Sequence, residues 1–344
     1  MGAASMSNGV GNGRGGPGSE GTLPRRMGGP GDVVSFTTRL VEGATARAPD
    51  EAAGRHTHPF QELSTCQELD VEFEEQERIL WCFMRPEGRP CFTPGLLEDS
   101  RRVQHALERQ FIFHHDTTAA PLNYLILASR VPGIFNLGGD LRLISRLVRD
   151  KDRDGLLRYA RACIDVCFGN ALHGDFPIIT ISLVQGEALG GGFEAALSAN
   201  VLIAEKGSQF GLPEVLFNLF PGMGAYNFLS RRIGGAAAER LILNGNILKA
   251  EELHEMGVID VLAEEGHGIE AVYAYIDQQQ SKRNAQLGVY SARQAVSPIQ
   301  WQELMEVGRI WVDAALSVSE RDVRKMERLV AAQERRLQAR MPGI

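Results

Sequence analysis

Along much of the chain, apolar positions recur first with the period of a strand and then with the period of a helix. Residues 69–73 alternate apolar and polar side chains, and an apolar run at 79–84 follows after a short polar gap. This pattern predicts a β-hairpin. Apolar positions in residues 93–109 recur at three- and four-residue intervals, which predicts a helix.

The middle of the chain continues this alternation of strand and helix. The pattern predicts strands at 123–128, 178–185 and 201–204. It predicts helical segments at 140–149, 156–170, 195–199, 224–233 and 236–243, with a charged, solvated break at 150–154. Strands that alternate with helices are typical of crossover connections between parallel strands, so we predict an α/β fold.

The two ends of the chain differ from this middle part. Residues 1–33 are rich in glycine and have too few apolar side chains to offset the entropy of ordering, so we predict a disordered tail. Residues 34–67 form a lead-in whose only pattern is a short strand at 33–40. A folded core then occupies residues 68–267, and residues 268–344 form a charged, helical C-terminal region.

The last predicted helix carries an N-terminal signal and an apolar stripe. Ser319 followed by Asp322 is typical of an N-cap with a carboxylate at the third helical position. The stripe that follows consists of Val323, Met326, Leu329, Val330 and Leu337. Such a stripe packs on the core or on a neighbouring subunit.

Composition limits the classes of protein that this chain can be. With 344 residues, of which 44% are hydrophobic, it can bury a full α/β core and an appendage. A net charge of −7 argues against non-specific nucleic-acid binding. We find neither an apolar stretch of about 18 residues, as a membrane span needs, nor a secretory signal. We therefore expect no membrane insertion.

Cysteine and histidine usage adds two expectations. The five cysteines have no CxxC spacing, which favours a reducing, cytoplasmic location. Cys163 and Cys167 are one helical turn apart, and a shared buried face explains them better than a metal site or a disulfide. The eight histidines form no metal-ligand pattern, so we expect no metal.

Two segments combine glycine with a carboxylate. Residues 188–194 read Ala-Leu-Gly-Gly-Gly-Phe-Glu, and residues 210–214 read Phe-Gly-Leu-Pro-Glu. Glycines before a helix leave backbone N–H groups free at its N-terminus, where the helix dipole favours negative charge. A nearby glutamate such as Glu194 is suited to acid–base chemistry. Taken singly, however, a glycine run is more often a flexible loop, and Pro-Glu is more often the start of a turn.

A third segment strengthens the functional interpretation. Residues 135–141 read Phe-Asn-Leu-Gly-Gly-Asp-Leu and follow the apolar run 122–129. A strand that leads into a glycine turn can supply a second N–H group, and two converging donors can hold a carbonyl oxygen as it becomes negative. Two carboxylates, Glu194 and Glu214, beside such donors can add or remove water across an acyl α,β bond.

On these motifs, over roughly residues 69–265, the chain resembles the crotonase (enoyl-CoA hydratase/isomerase) superfamily. The resemblance implies a spiral of ββα repeats, with a C-terminal helical region that closes the acyl pocket and makes oligomer contacts. It assigns the oxyanion N–H groups to Gly139 and Gly191 and the acid–base roles to Glu194 and Glu214. It also implies a homotrimer or homohexamer, which would cover the C-terminal stripe. We expect no cofactor, because the substrate itself carries CoA or the phosphopantetheine of an acyl carrier protein.

Within that superfamily the chain is most similar to the diffusible-signal-factor synthases. Residues 89–97 replace a short Asn-Ala-Leu-like turn of ordinary hydratases, and residues 316–333 resemble the synthase branch. These enzymes dehydrate a 3-hydroxyacyl-carrier protein and then hydrolyse the cis-2-enoyl thioester to a free fatty-acid signal for quorum sensing. The resemblance implies substrate contacts at Leu137, Gly138, Gly190, Trp311 and Leu329, and it leaves room for a regulatory protein partner.

Two alternatives stay open at this point. The first is an ordinary enoyl-CoA hydratase of fatty-acid β-oxidation that acts on acyl-CoA. The second is a non-catalytic scaffold of the same fold, which would have no need of both glutamates and both glycine turns. Acyl length is not fixed by the sequence, although a chain of about 10 to 14 carbons has ample apolar area to reward an apolar pocket.

Overall fold

Two β-sheets form the frame of the protein. The computed structural model describes residues 60–113, 121–171 and 176–340. The strands in these residues are β1 Leu69–Glu74, β2 Ile79–Met84, β3 Tyr124–Ser129, β4 Ile134–Asn136, β5 Ile179–Val184, β6 Glu187–Leu189, β7 Val201–Glu205, β8 Gln209–Gly211, β9 Ile247–Lys249 and β10 Val261–Ala263. Six of them form a large sheet in the order β1-β2-β3-β5-β7-β10, and four form a small sheet in the order β4-β6-β8-β9.

Helices connect the strands and make up the C-terminal part of the described chain. They are α1 Pro94–Phe113, α2 Leu141–Arg149, α3 Arg153–Ala171, α4 Gly191–Ser198, α5 Ala225–Ile233, α6 Gly235–Asn244, α7 Ala250–Glu255, α8 Gly268–Gln280, α9 Arg283–Val296, α10 Trp301–Ser317 and α11 Glu320–Arg340. Two 3₁₀ turns occur at Gln61–Thr65 and Pro213–Phe217. None of the helices in the described ranges is long and apolar enough to cross a membrane.

The chain winds between the two sheets as a spiral. It runs from β3 in the large sheet to β4 in the small sheet, through α2 and α3 to β5 and then β6, and through α4 to β7 and then β8. Neighbours from β2 to β10 in the large sheet are parallel, as crossover connections require. The predicted α/β spiral of ββα repeats is therefore confirmed. The predicted hairpin is confirmed too, with β1 antiparallel to β2.

The small sheet determines where the functional segments lie. Strands β4, β6 and β8 are parallel neighbours. Parallel strands end at the same edge of a sheet, so the residues after each strand meet there. Residues 138–139 follow β4, residues 190–191 follow β6, and residues 212–214 follow β8. Sequence analysis did not predict these strands, because three residues are too few to show a period.

Apolar side chains on the two faces of the large sheet belong to different cores. In β2 every residue is buried, yet Leu80, Cys82 and Met84 join one cluster, while Ile79, Trp81 and Phe83 join the other. This is the alternation of a strand that is covered on both sides. Helices α1, α3 and α10 contribute to the first cluster, and α8 and α9 pack on the second. Cys163 and Cys167 are both buried in the first, as predicted.

The C-terminal helical region is confirmed, but one inference from it is wrong. Helix α11 begins with the predicted cap, in which the Ser319 hydroxyl donates a hydrogen bond to the Asp322 carboxylate at 2.7 Å. Val323, Met326 and Val330 of the stripe are buried in the protein's own core. Oligomerisation is therefore not needed to cover the stripe, because α11 packs on α2 and on the Pro213–Phe217 turn of the same chain. Trimer or hexamer formation stays a prediction.

Three smaller predictions concern boundaries. The charged break after α2 is shorter than the predicted 150–154, because α3 already begins at Arg153. The predicted tail at 1–33 and the short strand at 33–40 lie outside the described residues. The limits of the core at 68–267 and of the C-terminal region at 268–344 stay predictions.

Candidate active site

A small cavity opens at the shared edge of β4, β6 and β8. Its volume is about 50 Å³, room for a few water molecules, each of which needs about 10–15 Å³. Both glutamates and both glycines predicted from the sequence line it. The rest of the lining is mainly apolar and consists of Leu141, Ile144, Tyr159, Ala160, Cys163, Phe217, Leu219, Gly222, Met223 and Trp311.

The first donor turn, residues 135–141, directs one backbone N–H group toward this cavity. Gly138 has a φ of 96°, which side chains rarely tolerate, and its N–H group donates to Asn136 Oδ1 at 2.8 Å. The Gly138 carbonyl accepts from the Phe92 N–H group at 2.8 Å. Because C=O and N–H point in opposite directions in a trans peptide, the Gly139 N–H group points away from Phe92. It has no acceptor among the described residues.

The second donor turn, residues 188–194, supplies another free N–H group. Gly190 has a φ of 51°, and α4 begins at the next residue. The Gly190 carbonyl accepts from Glu194 N–H at 3.1 Å as the first bond of the helix. The Gly191 N–H group has no acceptor in the described chain, as expected at a helix N-terminus. A Cβ atom on Gly138 would lie 3.0 Å from the Gly191 nitrogen, so the two turns are in contact.

The Glu194 carboxylate is buried and held by backbone donors. One of its oxygens, Oε1, accepts from the N–H groups of Met223 and Ala225, both at 2.8 Å. Burial raises the pKa of Glu194 to about 7, although the backbone N–H groups of residues 223–225 oppose this rise. These bonds also serve the N-terminus of α5, which begins at Ala225, so Glu194 has a structural role besides any chemical one.

The Glu214 carboxylate lies against the second donor turn and is held less firmly. Its Oε1 is 2.5 Å from the position that a Cβ atom on Gly190 would occupy. Its Oε2 is shielded from solvent and has no hydrogen-bond partner among the described residues. Burial raises the pKa of Glu214 to about 8, and the neighbouring charge of Glu194 adds to the rise. The pair therefore shares protons near neutral pH, as an acid and a base acting together require.

Of the five residues predicted for substrate contact, one lines the cavity and two shape its donor turns. Trp311 of α10 lines the cavity and packs so closely on Gly222 that a Cβ atom there would lie 2.5 Å from Trp311 Cγ. Gly138 and Gly190 do not line the cavity themselves, but their backbone conformations hold the two donors.

Two other predicted contacts lie elsewhere. Leu137 packs with Ile134 and Leu189, and Leu337 of α11 lies against that small cluster. Leu329 is half-buried and packs against the main core. Neither side chain lines the cavity. Each packs with other apolar side chains in this structure, and contact with an acyl chain stays a prediction for both.

Sequence analysis missed several residues that line the cavity, among them Tyr159, Cys163 and Met223. Tyr159 and Cys163 lie one helical turn apart on α3, in an amphipathic pattern that looks like ordinary core packing. Met223 lies between Gly222 and Gly224, and that flanking pair of glycines was a signal that could have identified it. A Cβ atom on Gly191 would lie 2.4 Å from Met223 Sδ, so this side chain covers the second donor.

No group of three or more His, Cys, Asp or Glu side chains within residues 60–113, 121–171 and 176–340 is arranged to hold a metal ion. The polar groups that the site offers to a ligand include backbone N–H groups and two carboxylates. Such a site can stabilise a negative oxygen and move protons beside it.

Comparison with known proteins agrees with this geometry. The sequence model of the enoyl-CoA hydratase/isomerase family matches residues 113–287. The mitochondrial methylglutaconyl-CoA hydratase of Rattus norvegicus is 27% identical over 250 residues, which cover 71% of this chain and 74% of the relative. A probable enoyl-CoA hydratase 2, mitochondrial, of Arabidopsis thaliana is 27% identical over 248 residues, covering 68% and 76%.

A solved structure extends the similarity to the fold. The enoyl-CoA hydratase from Bacillus halodurans superposes with a TM-score of 0.63 at 19% identity, covering 76% of this chain and all of that one. At this identity the likeness concerns the fold alone. The cytoplasmic location predicted from the cysteines stays a prediction, since the two sequence relatives are named as mitochondrial proteins.

Proposed function

The chain belongs to the enoyl-CoA hydratase/isomerase family, and from this we propose that it is a hydratase-type lyase that adds water to, or removes it from, the α,β bond of an acyl thioester. One observation carries the proposal. The buried Glu194 and the half-buried Glu214, whose Oε2 is shielded from solvent, both have raised pKa values and lie beside two glycine N–H groups that have no acceptor in the described chain. Burying a carboxylate away from water costs free energy, and a non-catalytic scaffold gains nothing in return.

The two glycine donors would bind the thioester oxygen. As a proton leaves or reaches the α-carbon, negative charge develops on that oxygen, and the N–H groups of Gly139 and Gly191 would stabilise it. Each such donor is typically worth roughly 3 kcal/mol in a transition state. Because the donors are backbone groups fixed by the fold, they need no reorganisation when the charge appears.

We assign Glu194 to the water and Glu214 to the α-carbon. In hydration, Glu194 takes a proton from water while the water oxygen bonds to the β-carbon, and protonated Glu214 gives its proton to the α-carbon. Dehydration runs through the same steps in reverse. The Glu214 Oε2 atom has no hydrogen-bond partner among the described residues, which supports its role as the proton carrier in hydration. The two backbone bonds to Glu194 support its role as the fixed group that orients water.

A second reaction, hydrolysis of the thioester, is the finer part of the proposal. The Glu214 carboxylate lies against the second donor turn, close to where the thioester carbonyl would bind. A water activated by Glu214 could attack the carbonyl carbon, after which the C–S bond breaks and the thiol leaves with a proton. Dehydration of a 3-hydroxyacyl-carrier protein followed by this step would release a free cis-2-enoic acid.

Met223 and Trp311 both line the cavity. We expect a medium-chain acyl group to lie against these two side chains, and the flexible thioether of Met223 is the easier of the two to displace.

The experiment offers the purified protein a medium-chain 3-hydroxyacyl-carrier protein and, separately, the matching CoA thioester. Wild type is compared with Glu194→Gln and Glu214→Gln. The matched control is Glu205→Gln, which changes a buried glutamate that caps α8 outside the cavity. The proposal requires wild type and the control to interconvert 3-hydroxyacyl and enoyl thioesters while both site variants do not.

Mass spectrometry of the products then separates the alternatives. Free cis-2-enoic acid released from the carrier protein supports the signal-synthase reaction. Reversible hydration of trans-2-enoyl-CoA without any free acid identifies an ordinary hydratase. If wild type leaves both thioesters unchanged, the hydratase proposal is wrong.

A further inference from the structure

Both peptide groups that flank Gly139 are bonded to a single residue, Phe92. On one side, the Gly138 carbonyl accepts from the Phe92 N–H group at 2.8 Å. On the other, the connection runs through a side chain: the Asp140 N–H group donates to Tyr159 Oη at 2.7 Å, and Tyr159 O–H donates to the Phe92 carbonyl at 2.8 Å. The first donor turn is thus held from both sides of its glycine.

Tyr159 is well placed to control the orientation of Gly139. A Cβ atom on Gly139 would lie 3.5 Å from Tyr159 Oη and 3.1 Å from Ile144 Cδ1, so the hydroxyl lies directly beside this residue. Tyr159 is 8% exposed and projects from α3, which is buried along the face that lines the cavity. A helix is a more rigid support than the glycine turn itself.

The hydroxyl of Tyr159 is engaged in holding the turn, which excludes it as a proton donor to substrate. A tyrosine hydroxyl has one proton, and here that proton goes to the Phe92 carbonyl. Burial raises the pKa of Tyr159 well above its ordinary value, so the group stays neutral. Its effect on a reaction must therefore pass through the backbone that it orients.

We propose that Tyr159 is a positioning residue, whose hydroxyl aims the Gly139 N–H group at the thioester oxygen by bridging Asp140 N–H and Phe92 C=O. The inference rests on the proposed function and adds a residue to it. The Gly139 N–H group belongs to the peptide that the Phe92 N–H group holds through the Gly138 carbonyl, so Tyr159 acts on the donor through Phe92 and through the neighbouring residue Asp140. Without the hydroxyl, the Phe92 carbonyl and the Asp140 N–H group lose their shared partner, and the segment that orients the donor can shift.

The test replaces Tyr159 with Phe, which keeps the ring and removes the hydroxyl. We expect kcat to fall about tenfold or more, since a small misplacement of a catalytic group can cost on the order of 100-fold. KM should change little, because the acyl chain and the rest of the thioester keep their contacts. A matched control is Thr180→Val, which removes another buried bridging hydroxyl, one that accepts from Asn200 N–H at 2.8 Å and lies outside the cavity lining.

A spectroscopic readout separates positioning from general destabilisation. Butanoyl-CoA with an isotopic label at the thioester carbonyl is bound to protein carrying Glu214→Gln, which prevents turnover, with and without Tyr159→Phe. In the parent, binding should lower the carbonyl stretching frequency because two N–H groups polarise the bond. With Tyr159→Phe, the frequency should return most of the way to its solution value while the affinity for butanoyl-CoA stays the same.

The outcomes distinguish this inference from the proposed function. Suppose that wild type is active and that Tyr159→Phe leaves both kcat and the lowered carbonyl frequency of the parent complex unchanged. This result overturns the positioning role and leaves the hydratase proposal intact. A loss of kcat that Thr180→Val reproduces in equal measure also overturns it, because general loosening then explains the effect. A wild type that neither binds nor converts thioesters rejects the proposed function itself.

Discussion

The helix that carries Glu194 and the 3₁₀ turn that carries Glu214 both border the cavity, yet they hold their carboxylates in different ways. All eight residues of α4 are buried, and Glu194 Oε1 accepts two backbone N–H groups. The Pro213–Phe217 turn is partly exposed, with Leu216 at 60%, and Glu214 Oε2 has no hydrogen-bond partner among the described residues. One carboxylate is fixed by N–H groups of another segment, whereas the other keeps one shielded oxygen without a partner.

This difference separates structure from chemistry within one site. Glu194 satisfies donors that would otherwise be buried and unpaired, so the fold benefits from it. Glu214 gives the fold no bond through Oε2, and burial raises the pKa of this carboxyl group. A desolvated carboxyl group beside free N–H groups is the arrangement that the proposed acid–base role needs.

The largest expected effect is common to the two residues and tests whether both act on the substrate. Glu194→Gln and Glu214→Gln should each lower kcat by about 10²–10⁴-fold, the usual contribution of a positioned acid or base. Circular dichroism should show both variants folded, because Gln keeps the shape of Glu and an acceptor oxygen. Near wild-type turnover by both variants would contradict the acid–base assignment.

The next effect should set the two residues apart. Glu194→Ala leaves the N–H groups of Met223 and Ala225 without an acceptor, and we expect the free energy of unfolding to fall by about 1–3 kcal/mol. Glu214→Ala removes a desolvated carboxyl that has an unpartnered oxygen, so the free energy of unfolding should be equal to or above that of wild type. Chemical denaturation measures both. Equal losses in the two variants would show that the carboxylates are held alike.

The pH dependence of stability sharpens the same contrast. The folded protein raises the pKa of Glu214 from its ordinary 4.5 to about 8, so the folded state binds this proton more tightly than the unfolded state. The resulting stabilisation is fully present below about pH 4.5 and is lost as pH rises through about 8. Glu214→Gln should abolish this loss.

Thermal unfolding at several pH values checks that expectation. The Tm of Glu214→Gln relative to wild type should be higher at pH 9 than at pH 5. A difference in Tm that does not vary with pH would mean that Glu214 titrates normally in the folded protein. Glu194→Gln provides the comparison, because burial also raises the pKa of Glu194 while backbone N–H groups oppose the rise.

The smallest expected effect comes from Trp311→Ala, a variant in which both carboxylates are unchanged. Trp311→Ala removes a wall of the cavity, and we expect it to weaken acyl-length selectivity, or shift it to longer chains, without abolishing turnover. Each methylene gained or lost from an apolar lining is worth about 0.8 kcal/mol, or roughly fourfold in kcat/KM. Trp301→Ala is the matched control, since Trp301 lies on the same helix outside the cavity lining. Identical selectivity profiles for the two variants would exclude Trp311 from the acyl pocket.

Sequence patterns were sufficient where a structural feature repeats along the chain. The period-two pattern and the long apolar runs located β1, β2, β3, β5 and β7, because a covered strand of five or six residues shows its faces in sequence. The glycine turns and glutamates were also found from local sequence, since a free N–H group at a helix start needs glycines immediately beside it. The structure places Gly139, Gly191, Glu194 and Glu214 around one cavity.

The remainder depends on contacts that leave no local pattern. Tyr159 bonds residues 19 and 67 positions away, and nothing in its own helix signals this. The apolar stripe of α11 looked the same whether a core or a neighbouring subunit was to cover it, and only the packing on α2 decided the case. Leu137 and Leu329 are apolar residues in suitable segments, but side-chain direction turned them into other clusters.

The spiral of parallel strands also affects how the protein reaches its active state. Gly139, Gly191 and Glu214 come from three successive repeats, and Trp311 comes from a helix that is synthesised after all of them. Parallel neighbours must wait for a crossover to form, and contacts between distant segments make folding slow. Molecules in which only some of the repeats have packed can therefore have most of their secondary structure but an incomplete site. Recovery of turnover during refolding measures completion of the whole spiral, including its last helices, whereas recovery of secondary structure measures only the separate turns.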